Sequence, residues 1–367
     1  MKKVILYGVT CVELRRNAEA FLDDEFEIAG YSDTYYTKDV LDGKPFFPPE
    51  ELYRQKADYI LLLAFSHRAL HDMRIFLRAV GIEDKKIIEP LIFLHQNAEK
   101  GQIDLVKDIR QHYQGEQGLI FGLSYSFRDI ELGRLSLPFY NCSWSGLDIY
   151  YNFRIFQYMD RQGLTRAVKT AFLIFPYYYF DYDMSRSVRQ YENGQMFAVV
   201  SLDDWHNSFR IREAEGYIAN YKLFGKKTAQ FYHVERYEFQ NGTICQEKEG
   251  ILDKIWFREY EDTVLENKIL LTRFIKQLAD RGIKPVLIIP PFFLYGLEQA
   301  SLAAFEQKKK KFYRVLMEVQ EKIMPFAVYD YADAYADKRD FFMDVTHLNS
   351  TGAVAFTDQI NRDVLHR

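Results

Sequence analysis

The sequence predicts an α/β protein in two domains, each built on a parallel sheet covered by helices. Short apolar runs that stop at glycine or proline alternate with stretches of helical spacing over residues 1–95, and the pattern starts afresh at Gly118. A polar stretch, residues 96–117, lies between the two series and reads as a mostly helical linker. At 367 residues the chain also exceeds the size at which a single hydrophobic core stops growing.

In the first domain, residues 3–7 are expected as a strand, 13–22 as a helix and 26–31 as a second strand running up to Asp33. A proline-rich turn, Pro45 to Pro49, leads into a short helix, since proline's fixed φ suits a first helical turn. Residues 58–65 are an unbroken apolar run, the pattern of a strand buried on both faces. A helix over 69–80 stops at Gly81, and 86–89 is a short strand before Pro90.

In the second domain, residues 118–367, the run 118–122 is a strand and 126–132 turns toward a helix. Phe139 and Tyr140 lead into Asn141, 147–159 is helical, and 171–175 is a strand running into Pro176. Residues 190–261 are polar, aromatic and aperiodic, as expected of an insertion or a lid. Leu271, Phe274, Ile275 and Leu278 share one helix face that Gly282 closes. Residues 285–289 are a buried strand ending at Pro290-Pro291, and 327–330 is the last strand. Ala353, Phe356, Ile360 and Val364 form the stripe of a final helix, capped by Asn349 or Ser350.

Composition narrows the function. A net charge of −4 makes no electrostatic case for nucleic acid or an anionic membrane. No run is long and apolar enough for a membrane span, and the first eight residues suit a buried strand better than a signal segment. Cys11, Cys142 and Cys245 are scattered, without Cys-x-x-Cys spacing, and read as reduced thiols of a cytoplasmic protein. The 30 Phe and 27 Tyr suggest aromatic-lined surfaces besides a large core.

The chemistry-bearing residues come in the order Ser, Asp, His. Ser124 follows a buried strand in Gly122-Leu123-Ser124-Tyr125-Ser126, at the sheet edge where open α/β folds place their sites. Asp344 and His347 stand three residues apart, just before the last helix. A serine hydroxyl is a poor nucleophile until an imidazole takes its proton, and the imidazole needs a carboxylate to fix its tautomer and steady its charge. Singly, a serine after a strand is usually a helix cap and an Asp–His pair usually a solvated loop; together they point to nucleophilic catalysis.

These motifs resemble those of the SGNH (GDSL-like) hydrolase superfamily. The similarity is closest to the branch that modifies bacterial surface polymers, the D-alanyl transfer protein of teichoic acids and the alginate-type O-acetyltransferases. It covers residues 116–367. Ile120 to Ser126 matches the first block, with Ser124 as nucleophile, and Asn141 to Gly146 the second, whose glycine amide serves the oxyanion. Ile288 to Pro291 matches the late strand ending in prolines, and Asp344 to Asn349 the last block, with the acid and the base. Leu123 replaces the aspartate of the GDS form. The third block departs more: the family's asparagine, a third oxyanion donor, has no counterpart in Phe175 to Asp183. Loss of one such donor costs roughly 10²- to 10³-fold in rate. Ser126 takes a supporting place in this pattern.

The resemblance implies an SGNH-like three-layer α/β/α sandwich with Ser124, His347 and Asp344 as its triad. Gly146 and Asn141 would serve the oxyanion and substrate, and Tyr177, in an aromatic run that extends to Tyr182, would stack on sugar rings unless that run is simply packed core. The implied activity is that of an esterase or O-acyltransferase on a carbohydrate, most plausibly on sugar O-acetyl groups in surface-polysaccharide metabolism. The alternative is a non-catalytic glycan- or sugar-nucleotide-binding protein that serves polysaccharide biosynthesis.

The first domain resembles, more loosely, the Rossmann-like domains that precede catalytic modules in bacterial sugar acyltransferases. The shared features are Ile5 to Gly8, the strand up to Asp33, and Tyr59 to Phe65 followed by a helix closing at Gly81. Such a domain could bring a sugar nucleotide to Gly8 and hold ribose hydroxyls with Asp33, although Asp33 reads better as a plain strand-end aspartate. A dinucleotide fingerprint is absent, since Gly8 stands alone where three glycines are needed. No cofactor and no metal is expected. His67 and His71 have helical i, i+4 spacing but lack the glutamate of a zinc motif. Asp203, Asp204 and His206 read as a polar loop, and Lys308 to Lys311 as a solvated helix face.

Overall fold

A computed structural model describes residues 1–22, 25–36, 39–64, 67–88, 109–110, 112–187, 260–295, 297–323 and 325–366. The protein is α/β, and its described residues fall into two compact units, one holding residues 1–88 and the other residues from 109 onward. The expected linker lies mostly outside the described residues. So does the insertion, except that Glu261 already begins a helix.

The first unit is built on strands β1 (Lys2–Tyr7), β2 (Phe26–Ser32), β3 (Val40–Leu41), β4 (Lys44–Phe47), β5 (Tyr59–Leu62) and β6 (Ile87–Ile88), with helices α1 (Val12–Phe21) and α2 (His67–Ala79). Their order is β3-β4-β2-β1-β5-β6, parallel throughout except for the β3–β4 pair. The two-residue period of β1 sorts its side chains into two cores. Val4 and Leu6 pack with Leu14 and Ala18 of α1, while Ile5 and Tyr7 pack with Leu70 and Leu77 of α2.

One expectation is corrected here. The segment expected as a turn at Pro45 is strand β4, paired in parallel with β2 through Tyr31–Phe46 and Ser32–Phe47. Pro45 is tolerated because its neighbour is only the two-residue β3, near the sheet edge, where a missing N–H costs little. The short proline-led helix follows it, as a 3-10 turn over Pro49–Arg54.

The second unit carries β7 (Gly118–Gly122), α3 (Ser124–Arg128), β8 (Phe139–Asn141), α4 (Ile149–Arg161), β9 (Thr170–Ile174), α5 (Glu261–Asp280), β10 (Lys284–Ile289), α6 (Gln299–Gln320), β11 (Ala327–Asp330) and α7 (Ser350–Asp363). The strands lie in the order β8-β7-β9-β10-β11, all parallel. The chain therefore leaves β7 toward one side of the sheet and later returns on the other. The crevice at the carboxyl end of β7 is the topological switch point, where such sheets bind ligands. Phe121 of β7 packs edge-on against Phe156 of α4 and Phe274 of α5, which holds that strand to its covering helices.

Lys308 to Lys311 are not simply a solvated face. Lys308 Nζ lies 2.8 Å from Asp181 Oδ2, and Lys311 pairs with the other oxygen of that carboxylate, which is only 2% exposed. Lys309 reaches Asp333 at 3.2 Å. The cause is that a buried carboxylate requires paired charge, and i, i+3 spacing places both lysines on its side of the helix. Among the described residues, no helix is long and apolar enough to cross a membrane.

Candidate active site

The site begins at the turn between β7 and α3. Gly122 ends β7 with φ +152°, and a Cβ there would meet Ser126 Oγ at 1.9 Å and Ile174 O at 2.6 Å. Only glycine fits, and the turn sets Ser124 as the first residue of α3, 8% exposed at the switch point. Ser126 is wholly buried and directs its hydroxyl to Phe121 O, back toward the strand.

The second component is the loop between β11 and α7. Asp344 Oδ1 accepts from Thr346 N at 2.7 Å, Thr346 Oγ1 at 2.8 Å and His347 N at 2.8 Å, which closes a tight turn. The turn brings His347 Nδ1 to 2.8 Å from Asp344 Oδ2, and His347 Nε2 to 2.8 Å from Ser124 Oγ. Burial alone would push the Asp344 carboxyl up, but the bonds from His347 and Thr346 outweigh it and hold the group well below the usual carboxylate range. An ionised carboxylate only accepts, so Nδ1 carries the proton and Nε2 is left to accept from Ser124. The Tyr125 ring stacks on the imidazole at 5.2 Å and 24°, which fixes its plane.

The third component is the loop after β8. Asn141 Oδ1 accepts from Ser143 N at 3.0 Å and from the Ser143 hydroxyl, while its Nδ2 donates to Ser126 O at 2.8 Å. Asn141 thus shapes the loop and ties it to the turn that carries Ser124, and both ends of its amide are engaged within the protein. Gly146 O accepts from Tyr182 Oη at 2.6 Å, and Leu147 O from Tyr179 Oη at 2.7 Å. Asn152, wholly buried in α4, accepts from Gly122 N at 2.9 Å and donates to Tyr179 Oη at 2.7 Å. These bonds join the Ser124 turn, the Gly146 loop and the loop after β9. Asn152, Tyr179 and Tyr182 thus brace the site, a role not expected of them from the sequence. The available signal was an asparagine on the apolar face of a helix, which requires buried partners.

The expected sugar-stacking role of Tyr177 is corrected by its burial. Tyr177 is 3% exposed, its ring packs against Phe292, Phe305 and Phe312, and its hydroxyl donates to Asp330 Oδ2 at 2.6 Å. Tyr179, Phe180 and Tyr182 are buried as well, whereas Tyr178 is partly exposed and its hydroxyl donates to Tyr125 Oη at 3.4 Å; all of the run but Tyr178 is core. The partly exposed rings nearest in sequence to Ser124 and to Gly146 are Phe127 and Trp144, paired at 5.4 Å and 44°. Phe127 is three residues beyond Ser124 on α3, a spacing that puts both on one helix face.

In the first unit, Asp33 is 2% exposed and fully engaged. Its Oδ2 accepts from Thr10 N at 2.9 Å and Thr10 Oγ1 at 2.7 Å, and its Oδ1 from Tyr35 N at 2.9 Å. It is a loop-fastening carboxylate, which agrees with the plain strand-end reading and speaks against the ribose one. Gly8 has φ +98°, and a Cβ there would lie 2.3 Å from Leu63 O; its N–H donates to Ser32 O at 2.9 Å. Close packing between strand ends therefore accounts for this glycine without a ligand. His71 is exposed on α2, while the side chain of His67, Asp203, Asp204 and His206 lie outside the described residues. Among the described residues, no group of three His, Cys, Asp or Glu side chains is placed to hold a metal ion.

Sequence comparisons place the chain in no group: no family model matches it, and no curated protein matches it significantly.

Proposed function

We propose that the second unit is a serine-dependent esterase or O-acyltransferase of the SGNH type that acts on a carbohydrate ester, a sugar O-acetyl group in surface-polysaccharide metabolism. The observation that carries the proposal is the continuous relay Asp344–His347–Ser124, with both links at 2.8 Å. The strand order β8-β7-β9-β10-β11, with the serine at the switch point, supports the superfamily reading. The partly exposed Phe127–Trp144 pair supports a ring-shaped ligand. Cys11 and Cys142, with no disulfide between described residues, suit action in the cytoplasm, on precursors of the polymer.

In this mechanism Ser124 Oγ attacks the acyl carbonyl while His347 Nε2 takes the hydroxyl proton. The backbone N–H groups of Ser124 and Gly146 receive the oxyanion. The C–O bond to the sugar then breaks, and the alkoxide recovers the proton from His347. Water or a second sugar hydroxyl attacks the acyl-serine by the reverse steps, giving hydrolysis or transfer. Asp344 keeps the imidazole oriented and stabilises its charged form. Tyr179 and Tyr182, in the loop where the family carries its asparagine, hold the carbonyls of Leu147 and Gly146 and thereby steady the Gly146 peptide.

Acetate release from O-acetylated sugars by the wild type and by Ser124→Ala tests the proposal. Release that depends on Ser124 is expected, and equal release by both proteins refutes it. A second reading, a glycan-binding module without turnover, is favoured by one observation: the loop after β9 offers no amide side chain as a third oxyanion donor. Binding of an acetylated glycan without acetate release would select it.

A further inference from the structure

We infer that Asp129 is a positioning residue for the Ser124–His347 pair: its carboxyl group fastens the loop that carries the base to the helix that carries the nucleophile. This rests on the serine-hydrolase reading above and adds a component that the triad leaves out.

Asp129 is wholly buried. Its N–H donates to Tyr125 O at 2.9 Å and ends α3, the helix that Ser124 begins. Its Oδ1 accepts the N–H of Leu348 at 2.9 Å, across 219 residues of sequence. Leu348 follows His347 directly and forms a bridge with Phe342, while Met343 N donates to His347 O at 2.9 Å. The base loop is thus closed on itself, and the hydrogen bond at Leu348 ties its backbone to the end of α3, beside the side-chain contacts that His347 makes with Ser124 and Tyr125. Without that bond, the Leu348 N–H is buried with no acceptor and the loop must move to find one.

The second oxygen, Oδ2, is buried and has no hydrogen-bond partner among the described residues. A carboxylate in such a place would be poorly solvated. Burial pushes this carboxyl well above its ordinary range, and the Asp344 charge adds to the effect; the Leu348 N–H and Arg128 act the other way and are outweighed. Tyr125, whose phenol burial keeps neutral, is the other titratable group facing it. A protonated Asp129 accepts through its carbonyl oxygen and places no second negative charge beside Asp344. Asp344 then remains the single charge against which His347 is poised.

The test compares Asp129→Asn and Asp129→Ala with the wild type in kcat, KM and the pH profile of kcat/KM, after circular dichroism and thermal melts establish folding. Asparagine keeps the acceptor and is neutral, so kcat is expected within about threefold of wild type and the acid limb unmoved. Alanine removes the acceptor, so kcat should fall about 10- to 100-fold with little change in KM. A folded Asp129→Ala that turns over like wild type overturns the positioning role. An acid limb displaced to lower pH in Asp129→Asn overturns the neutral form, because it would mean that a negative charge had been removed from beside His347. If the wild type has no turnover, the hydrolase reading fails, and two signals still decide on Asp129. Its side-chain carbon resonance, in 13C-aspartate-labelled protein, should not titrate near the ordinary value of about pH 4. The Leu348 amide should be protected from hydrogen exchange in wild type and Asp129→Asn, but exposed in Asp129→Ala. Titration near the ordinary value, or an unprotected wild-type amide, overturns the inference.

Discussion

Ser124 Oγ lies 2.8 Å from His347 Nε2 although 223 residues separate the two in sequence. Neither element could create this contact alone. The turn after β7 fixes the hydroxyl, the Asp344 turn fixes the imidazole, and the parallel sheet brings the two loops to the same edge.

Asp344→Asn keeps the size of the side chain but offers an amide to His347 Nδ1. Where that amide donates, the imidazole takes the tautomer whose Nε2 is protonated and cannot accept from Ser124. A loss of roughly 10³- to 10⁴-fold in kcat is expected, with KM nearly unchanged, in steady-state ester hydrolysis.

The same carboxylate links stability to pH. Its value in the folded protein is depressed below the unfolded value of about 3.9. Its contribution to stability is therefore complete above that unfolded value and is lost as pH falls through the lower, folded one. Urea unfolding at a series of acidic pH values should show a shallower loss of stability for Asp344→Asn than for wild type. Identical acid limbs would mean that the His347 and Thr346 bonds do not hold the carboxylate in solution.

Asn152→Ala removes the partner of Gly122 N and of Tyr179 Oη inside a fully buried network. A loss of about 2–4 kcal/mol in unfolding free energy is expected by denaturant titration. The variant should also lose kcat, because its broken bonds hold the nucleophile turn and the Gly146 loop together.

Trp144→Ala deletes one ring of the partly exposed pair it forms with Phe127, three residues beyond Ser124. On an acetylated sugar KM should rise about 5- to 10-fold, in line with roughly 1 kcal/mol for one ring contact. On p-nitrophenyl acetate, which lacks the sugar ring, KM should change little. An equal change on both substrates would place Trp144 in the framework of the loop and not in ligand recognition.

Much of the framework was legible because its signals are local. The apolar run 118–122 ends at glycines and is β7 over the same residues; 327–330 is likewise β11. Asn349, one of two expected caps, accepts from Gly352 N at 3.0 Å and so starts α7. Ser124, Asp344 and His347 were legible as residue types in a recognisable order. What escaped the sequence depends on distant partners. Nothing near Tyr177 announces that Asp330 takes its hydroxyl, and nothing near Lys308 announces that Asp181 lies buried beneath it. Nothing in the strand that runs up to Asp33 announces that Thr10 and Tyr35 donate to its carboxylate. Strand β4 escaped because Pro45 argues against a strand everywhere except near a sheet edge.

The central claim, that Ser124 is an activated nucleophile, is tested most directly by labelling with a fluorophosphonate probe, read by intact-protein mass spectrometry. One probe per chain is expected on wild type and on Ser126→Ala, whose hydroxyl bonds back to Phe121 O, with none on Ser124→Ala or His347→Ala. A folded wild type that takes up no probe, or a Ser124→Ala protein that still does, would contradict the account.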